Sequence, residues 1–252
     1  MALRRSKKKR PRREEFTLKE KIKVGGIDER SAYYLSSMFR TGILERVEYL
    51  IATGKEADVY FAYGGPKVNH SLVALKIFRI ENTSFLNRQE YIMGDPRFEA
   101  TKRNIAGIVI TWCKKEYGNL KLAKESGAFV PMPFGMKGNV LAMELIENNN
   151  VPAPLLKETN LENPQNTFWK IVESVKKMYA KGLAHSDLSE YNILMKGEDP
   201  YLIDMGQAVV KEHPKFEEFF ERDLRNISSY FKKYYKLDIN EEEIIKSIRS
   251  NA

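Results

Sequence analysis

Cysteine is almost absent: Cys113 stands alone among 252 residues, so no disulfide can close within the chain. Histidine is nearly as scarce, and three imidazoles with one thiol cannot supply a usual structural zinc site. No apolar run approaches the roughly 18 residues of a membrane span. The charged start, MALRRSKKKR, is followed by no apolar core segment of an export signal. The expectation is a soluble, cytoplasmic protein in a reducing compartment. Acids are missing from residues 1–13, which hold Arg4, Arg5, Lys7, Lys8, Lys9, Arg10, Arg12 and Arg13. Without those eight, 42 basic residues become 34 and face 34 acidic ones, so the body is neutral and the net charge of +8 sits in the tail. Such a tail, residues 1–15, cannot bury apolar surface; it is expected to be disordered alone and to seek a polyanion. RNA is favoured, because each neutralised phosphate releases counterions. A solubilising tail without a partner is the alternative.

What is present suffices for a large core, since 42% of the residues are hydrophobic. From the N-cap Asp28, apolar residues recur at Tyr34, Leu35, Met38 and Phe39, which predicts a helix over 28–40. Three runs rich in β-branched and aromatic residues follow at 46–53, 58–63 and 71–80, an antiparallel meander. Residues 81–96 read as a polar loop, 97–126 as a long helical segment, and 133–146 as a hairpin about a Lys-Gly turn. The turn-rich strip ENNNVPAPLL (147–156) marks a boundary. Beyond it come helices at 165–181, 214–235 and 240–250, with one β unit between. The organisation predicted is α+β in two lobes: residues 16–146, strand-rich with an N-terminal helix, and 147–252, helical.

The β unit carries the chemistry. In YNILMKGEDPYLIDMG (191–206) a turn centred at position 198 places Asn192 opposite Asp204, and Asp187 lies on the loop entering the first strand. In isolation Asp187 and Asn192, five apart, read as a polar loop. Together with Asp204 they make an amide and two carboxylates at one end of a hairpin. That set suits Mg²⁺, or Mn²⁺ in its place, and leaves one carboxylate to accept a hydroxyl proton. In the strand-rich lobe, VALK ends in Lys76, on the strand face shared with Ala74 and Phe78. Lys76 either snorkels to solvent or needs an acid. Glu116, four residues before Leu120, is that acid if the helix packs Leu120 inward, and otherwise a solvated glutamate. The turn ATGKEADVY offers Thr53, Gly54 and Lys55 to phosphates, although one glycine makes no P-loop.

TGKEADVY, VALK, Glu116, HSDLSEYN and IDMG, in that order, reproduce the parts of a protein kinase, with the catalytic loop H-x-D-L-x-x-x-N matched residue for residue. The chain resembles the RIO family of atypical serine/threonine kinases. YIMGDPRF (91–98) and IDMGQAV (203–209) look like its first-type branch. The resemblance spans about 28–235. It implies a two-lobed kinase fold lacking an activation loop and peptide-docking helices. It also implies ATP and Mg²⁺ as cofactors, Asp187 as base, Asn192 and Asp204 as metal ligands, and Lys76 with Glu116 as the pair that fixes the ATP phosphates. Met143 to Ile146 fall at the hinge, where the backbone of Glu144 and Ile146 would hold adenine. The family association further implies ATP hydrolysis, autophosphorylation with a phosphoaspartate on Asp204, and a role in maturation of the small ribosomal subunit, whose precursor RNA the tail would contact.

Departures from ordinary kinases are specific. Ser186 replaces the arginine before the base, Ser189 the lysine two places after it, and the glycine-rich loop shrinks to Gly54. Only 48 residues follow Asp204, with no A-P-E motif. These features count against efficient phosphorylation of free peptides. Two other classes compete: a small-molecule phosphotransferase of aminoglycoside-kinase type, and an inactive RNA-binding scaffold. The short segment after Asp204 disfavours the first, and retention of all five polar residues disfavours the second.

Overall fold

The computed structural model describes residues 22, 26–80, 91, 95–98 and 104–250. The basic tail and most of the loop expected at 81–96 lie outside them. Five strands, β1 (Leu44–Thr53), β2 (Ala57–Gly64), β3 (Leu72–Phe78), β4 (Pro133–Lys137) and β5 (Val140–Glu144), form an antiparallel sheet in the order β1-β2-β3-β5-β4. Alternation along β3 divides the lobe in two. Val73, Leu75 and Ile77 join Val140 and Ala142 against Leu35 and Met38 of α1 (Glu29–Arg40). Ala74, Phe78, Leu141 and Met143 face the other way, towards Val109, Trp112 and Leu120 of α2 (Ile105–Glu125). Each fully buried Leu or Val is worth about 1.5–3 kcal/mol, so both helices are held by the sheet rather than by propensity.

Local signals set the boundaries. Asp28 caps α1, its carboxylate accepting from the backbone N–H groups of Arg30 and Ser31. The helical segment expected from residue 97 begins only at Ile105. Asn104, whose side chain accepts from Gly107 N–H at 2.8 Å, is the cap, and Pro96–Phe98 forms a separate 3₁₀ turn. In the β4–β5 turn Gly138 has φ +59°, and a Cβ there would lie 2.1 Å from the Tyr34 ring of α1.

The strip at 147–156 is a turn, as its composition predicts, but also a small ribbon, β6 (Glu147–Asn148) with β7 (Val151–Pro152). Asn149 and Asn150 both take positive φ, the geometry of a two-residue hairpin turn. The helical lobe comes next: α3 (Pro164–Ala180), β8 (Leu183–Ala184), β9 (Ile193–Lys196), β10 (Asp199–Leu202), β11 (Val209–Val210), α4 (Phe216–Tyr235) and α5 (Glu241–Ser250). Phe168, Phe219, Phe220, Leu224 and Phe231 fill its core. One expected register is corrected. Ile193 pairs with Leu202 and Lys196 with Asp199, so the turn is Gly197-Glu198, centred half a residue earlier than predicted. Gly197 supplies the positive φ that a two-residue turn needs. Asn192 therefore faces Ile203, whose N–H donates to its carbonyl at 2.9 Å, and not Asp204.

Candidate active site

Lys76 projects from β3 on the side of the sheet that faces α2. Its ammonium donates to both oxygens of Glu116 at 2.8 Å and to Asp204 Oδ1 at 3.0 Å. The strand lysine is thus not a snorkelling surface group. Glu116 is fully buried while Asp204 remains 41% exposed, so the triad runs from the interior of one lobe to the solvent-facing edge of the other. Burial alone would pull the lysine down; the carboxylates of Asp204 and Glu116 outweigh it and hold the ammonium above its usual range. Burial pushes the Glu116 carboxyl up to about 7, with Lys76 opposing. Lys76 keeps its charge because two acids face it.

Asp187 lies on the loop between β8 and β9. Its Oδ2 accepts from Gln207 Nε2 at 2.7 Å and from Asn192 Nδ2 at 3.3 Å, and Asn192 Nδ2 also donates to the Asp187 carbonyl at 2.8 Å. The structure therefore assembles two linked groups, Lys76–Glu116–Asp204 and Asp187–Asn192–Gln207, joined by the segment from Asp204 to Gln207. Asp204 takes φ +61°, which turns the chain out of the hairpin.

The backbone of the Asp187 loop is held from α4. Asp223 accepts from Ser186 N–H at 2.8 Å and from Leu188 N–H at 3.0 Å, and the Arg222 guanidinium donates to the Ser186 carbonyl. Ser186 has φ +69°, an uncommon conformation for a serine, and these bonds fix it. Burial raises the Asp223 carboxyl, with His185 and the two N–H donors opposing. His185 Nε2 lies 2.9 Å from the Ile203 carbonyl, tying the loop to the chain before Asp204.

On the other side, α2 grips the residues immediately after Asp204. Lys115 donates to the carbonyls of Gly206 and Ala208, and Asn119 Nδ2 to those of Met205 (2.9 Å) and Ala208 (2.8 Å). Arg97 donates to Asn119 Oδ1 and to Asp95. A Cβ on Gly206 would lie 2.6 Å from Trp112 Nε1, which explains the glycine two places after the acid.

The other sequence-predicted residues lie at the sheet's turn and at its inner edge. The turn after β1 is closed by Gly54 N–H on the Ala57 carbonyl at 2.9 Å, and the Thr53 hydroxyl is engaged by Asp58 and Arg79. Lys55 is in this turn, exposed. Met143 is buried in β5. Glu144 N–H donates to the Met132 carbonyl, and the Ile146 carbonyl accepts from Ala153 N–H. Sequence reasoning missed Gln207, Lys115 and Asn119, although Gln207 directly follows IDMG and Lys115 precedes Glu116. It missed Asp223 for want of any local signal, since that residue reaches the loop across the fold.

A divalent cation fits this donor set. The Asn192 amide nitrogen is spent on Asp187, which leaves its oxygen for a hard cation, and Asp204 is a partly exposed carboxylate. Among the described residues no cluster of three or more His, Cys, Asp or Glu side chains forms a metal cage, so the cation would rely on few protein oxygens.

A family model described as the RIO domain matches residues 58–244. The chain belongs to the RIO family. Within it the similarity is to the Rio1-like branch. The chain is 36% identical over 213 residues to the RIO-type serine/threonine-protein kinase Rio1 of Haloferax volcanii, covering 84% of this chain and 72% of that protein. It is 35% identical to Rio1 of Methanocaldococcus jannaschii, covering 88% and 74%. Human serine/threonine-protein kinase RIO1 matches at 33% over 82% of this chain but only 37% of its own length. Serine/threonine kinase activity is what these relatives are named for. A solved Rio2 kinase-ADP/Mg²⁺-phosphoaspartate complex from Chaetomium thermophilum aligns with a TM-score of 0.65 at 21% identity, covering 85% of this chain and 65% of that one. It shows that the RIO-family chain has the two-lobed kinase fold, with an antiparallel-sheet N-lobe. No described helix is long and apolar enough to cross a membrane.

Proposed function

We propose that this RIO-family chain transfers the γ-phosphate of ATP to a hydroxyl acceptor, or to water, with Mg²⁺ required. The observation that carries the reading is Lys76 bridging Glu116 and Asp204 while Asp187 is held beside the same loop by Asn192 and Gln207. Lys76, oriented by Glu116, holds the ATP phosphates. Asp187 orients the attacking hydroxyl and accepts its proton. Asn192 through its amide oxygen and Asp204 through its carboxylate would hold the cation. Bound there, the cation supplies charge neutralisation on the phosphate oxygens. The Glu144 carbonyl and the Ile146 N–H hold the adenine edge, since the N–H of the first and the carbonyl of the second already have backbone partners. The turn Thr53-Gly54-Lys55 covers the phosphates through the exposed Lys55, because the Thr53 hydroxyl is committed to Asp58 and the Gly54 N–H to the Ala57 carbonyl.

Asp204 is also our candidate for a phosphoaspartate: its exposed carboxylate oxygen would attack the γ-phosphorus with ADP leaving, and water would later release phosphate. Attachment to a small-subunit ribosomal precursor through the basic tail is part of the proposal and rests on charge alone. The test is turnover of radiolabelled ATP, with hydroxylamine treatment of the labelled protein. Asp187→Ala should abolish turnover but still bind nucleotide, and Asp204→Ala should lose metal-dependent transfer. Parent-like turnover in both variants would overturn the assignment.

A further inference from the structure

Gln207 is buried, only 7% exposed, and its amide donates to Asp187 Oδ2 at 2.7 Å, a shorter bond than the one from Asn192. A neutral donor can fix the rotamer of a carboxylate without adding the positive charge that would depress its basicity, which suits an acid meant to take up a proton. The support of Gln207 is equally specific. The residue before it, Gly206, and the residue after it, Ala208, both offer their carbonyls to Lys115 Nζ. Asn119 adds bonds to Met205 and Ala208, and both α2 side chains are fully buried. Without Lys115 and Asn119 the Gly206 and Ala208 carbonyls would lose these bonds in an apolar interior, at a cost per group comparable to a lost hydrogen bond, while the Met205 carbonyl would keep the Ala208 N–H at 3.2 Å. The absent Cβ at Gly206 lets this segment lie against Trp112. A side chain on a helix of one lobe thus bonds the carbonyls on either side of the donor to the other lobe's acid.

We infer that Gln207 is a positioning residue for Asp187, and that Lys115 holds Gln207 in place through the two carbonyls that flank it. This inference rests on the proposed role of Asp187 as proton acceptor. It accounts for how the site is assembled without a phosphorylated activation segment: only residues 205–215 separate Asp204 from α4, and α2 side chains hold the carbonyls of Met205, Gly206 and Ala208 among them. The arrangement is built into the fold.

The test measures the single-turnover rate of γ-phosphate release and, separately, nucleotide affinity by titration, in Gln207→Leu, Gln207→Glu, Lys115→Met, the Gln207→Leu/Lys115→Met double variant and Asp187→Asn. Misplacing a reacting group by about 1 Å can cost about a hundredfold in rate. Gln207→Leu is therefore expected to lose roughly tenfold to a hundredfold in rate, with nucleotide affinity within about twofold of the parent. In Gln207→Glu the rate relative to the parent should recover as pH is lowered, because only the protonated carboxyl can donate the same bond. Lys115→Met should fall in the same direction, and the double variant no further than the worse single one. An unimpaired Gln207→Leu alongside an inactive Asp187→Asn overturns the inference and leaves the proposed function standing. An active Asp187→Asn overturns the function reading itself. Multiplying losses in the double variant would separate Lys115 from Gln207 and remove its half of the proposal.

Discussion

Lys76 illustrates how a residue is committed by its surroundings. A strand lysine beside Ala74 and Phe78 on an inward face must either reach water or find acids, and here it finds two. Removing the ammonium by Lys76→Met should leave Glu116 and Asp204 close together without a counterion. The expected result is loss of nucleotide-dependent thermal stabilisation, read by comparing melting temperatures with and without ATP and Mg²⁺. Glu116 carries a second prediction. Because burial raises its folded-state value from 4.5 to about 7, the folded chain holds a proton that the unfolded chain releases between those limits. That contribution to stability is fully present below about 4.5 and is lost as pH rises through about 7. Glu116→Gln, neutral throughout, should lack the decline, so the parent should lose ground to it between pH 5 and pH 8. Urea midpoints at the two pH values would show this; an unchanged gap would mean that Glu116 ionises alike in both states.

At the scale of elements, the loop that carries Asp187 is held by α4 and the segment after Asp204 by α2. Neither helix presents these groups for its own stability. Asp223→Ala would leave the buried N–H groups of Ser186 and Leu188 without acceptors, at about 1–3 kcal/mol each, and would release the positive φ of Ser186. We expect a stability loss within a few kcal/mol of that sum and a larger proportional loss of ATP turnover, measured by denaturant unfolding and by phosphate release. Gly206→Ala tests the opposite wall. The added methyl would meet Trp112 Nε1, so the loop must shift away from α2. Turnover should fall while the melting temperature drops by only a few degrees.

At the scale of the whole molecule, the excess charge lies apart from the proposed site in the sequence. The body carries equal numbers of acidic and basic residues, and the excess of eight bases lies in residues 1–13. Deleting residues 1–15 should leave ATP turnover unchanged and weaken RNA binding, with the dependence of affinity on salt becoming shallower by about 0.7–0.9 for each phosphate that the tail no longer neutralises. RNA affinity and salt slope equal to those of the full chain would place the RNA-binding surface, if any, on the body.

The sequence by itself determined the features that local pattern encodes. Runs of β-branched and aromatic residues placed β1 to β3, alternation put Lys76 on the face shared with Ala74 and Phe78, Asp28 capped the first helix, and residue order within HSDLSEYN and IDMG carried the family resemblance. Spacing in a hairpin was less secure. A turn read as centred at 198 put Asn192 opposite Asp204, whereas Gly197-Glu198 makes the turn and Asn192 meets Ile203. That slip matters because the pairing of every residue along a hairpin depends on which turn residue adopts positive φ. Only the tertiary structure decided the supports: Asp223 reaching Ser186 from α4, and Lys115 and Asn119 meeting the carbonyls beside Gln207. Those bonds join residues separated by long stretches of chain, and a backbone carbonyl has no sequence signature. The nearest part of a functional site is written in side-chain identity; its supports are written in which surfaces the folded core brings together.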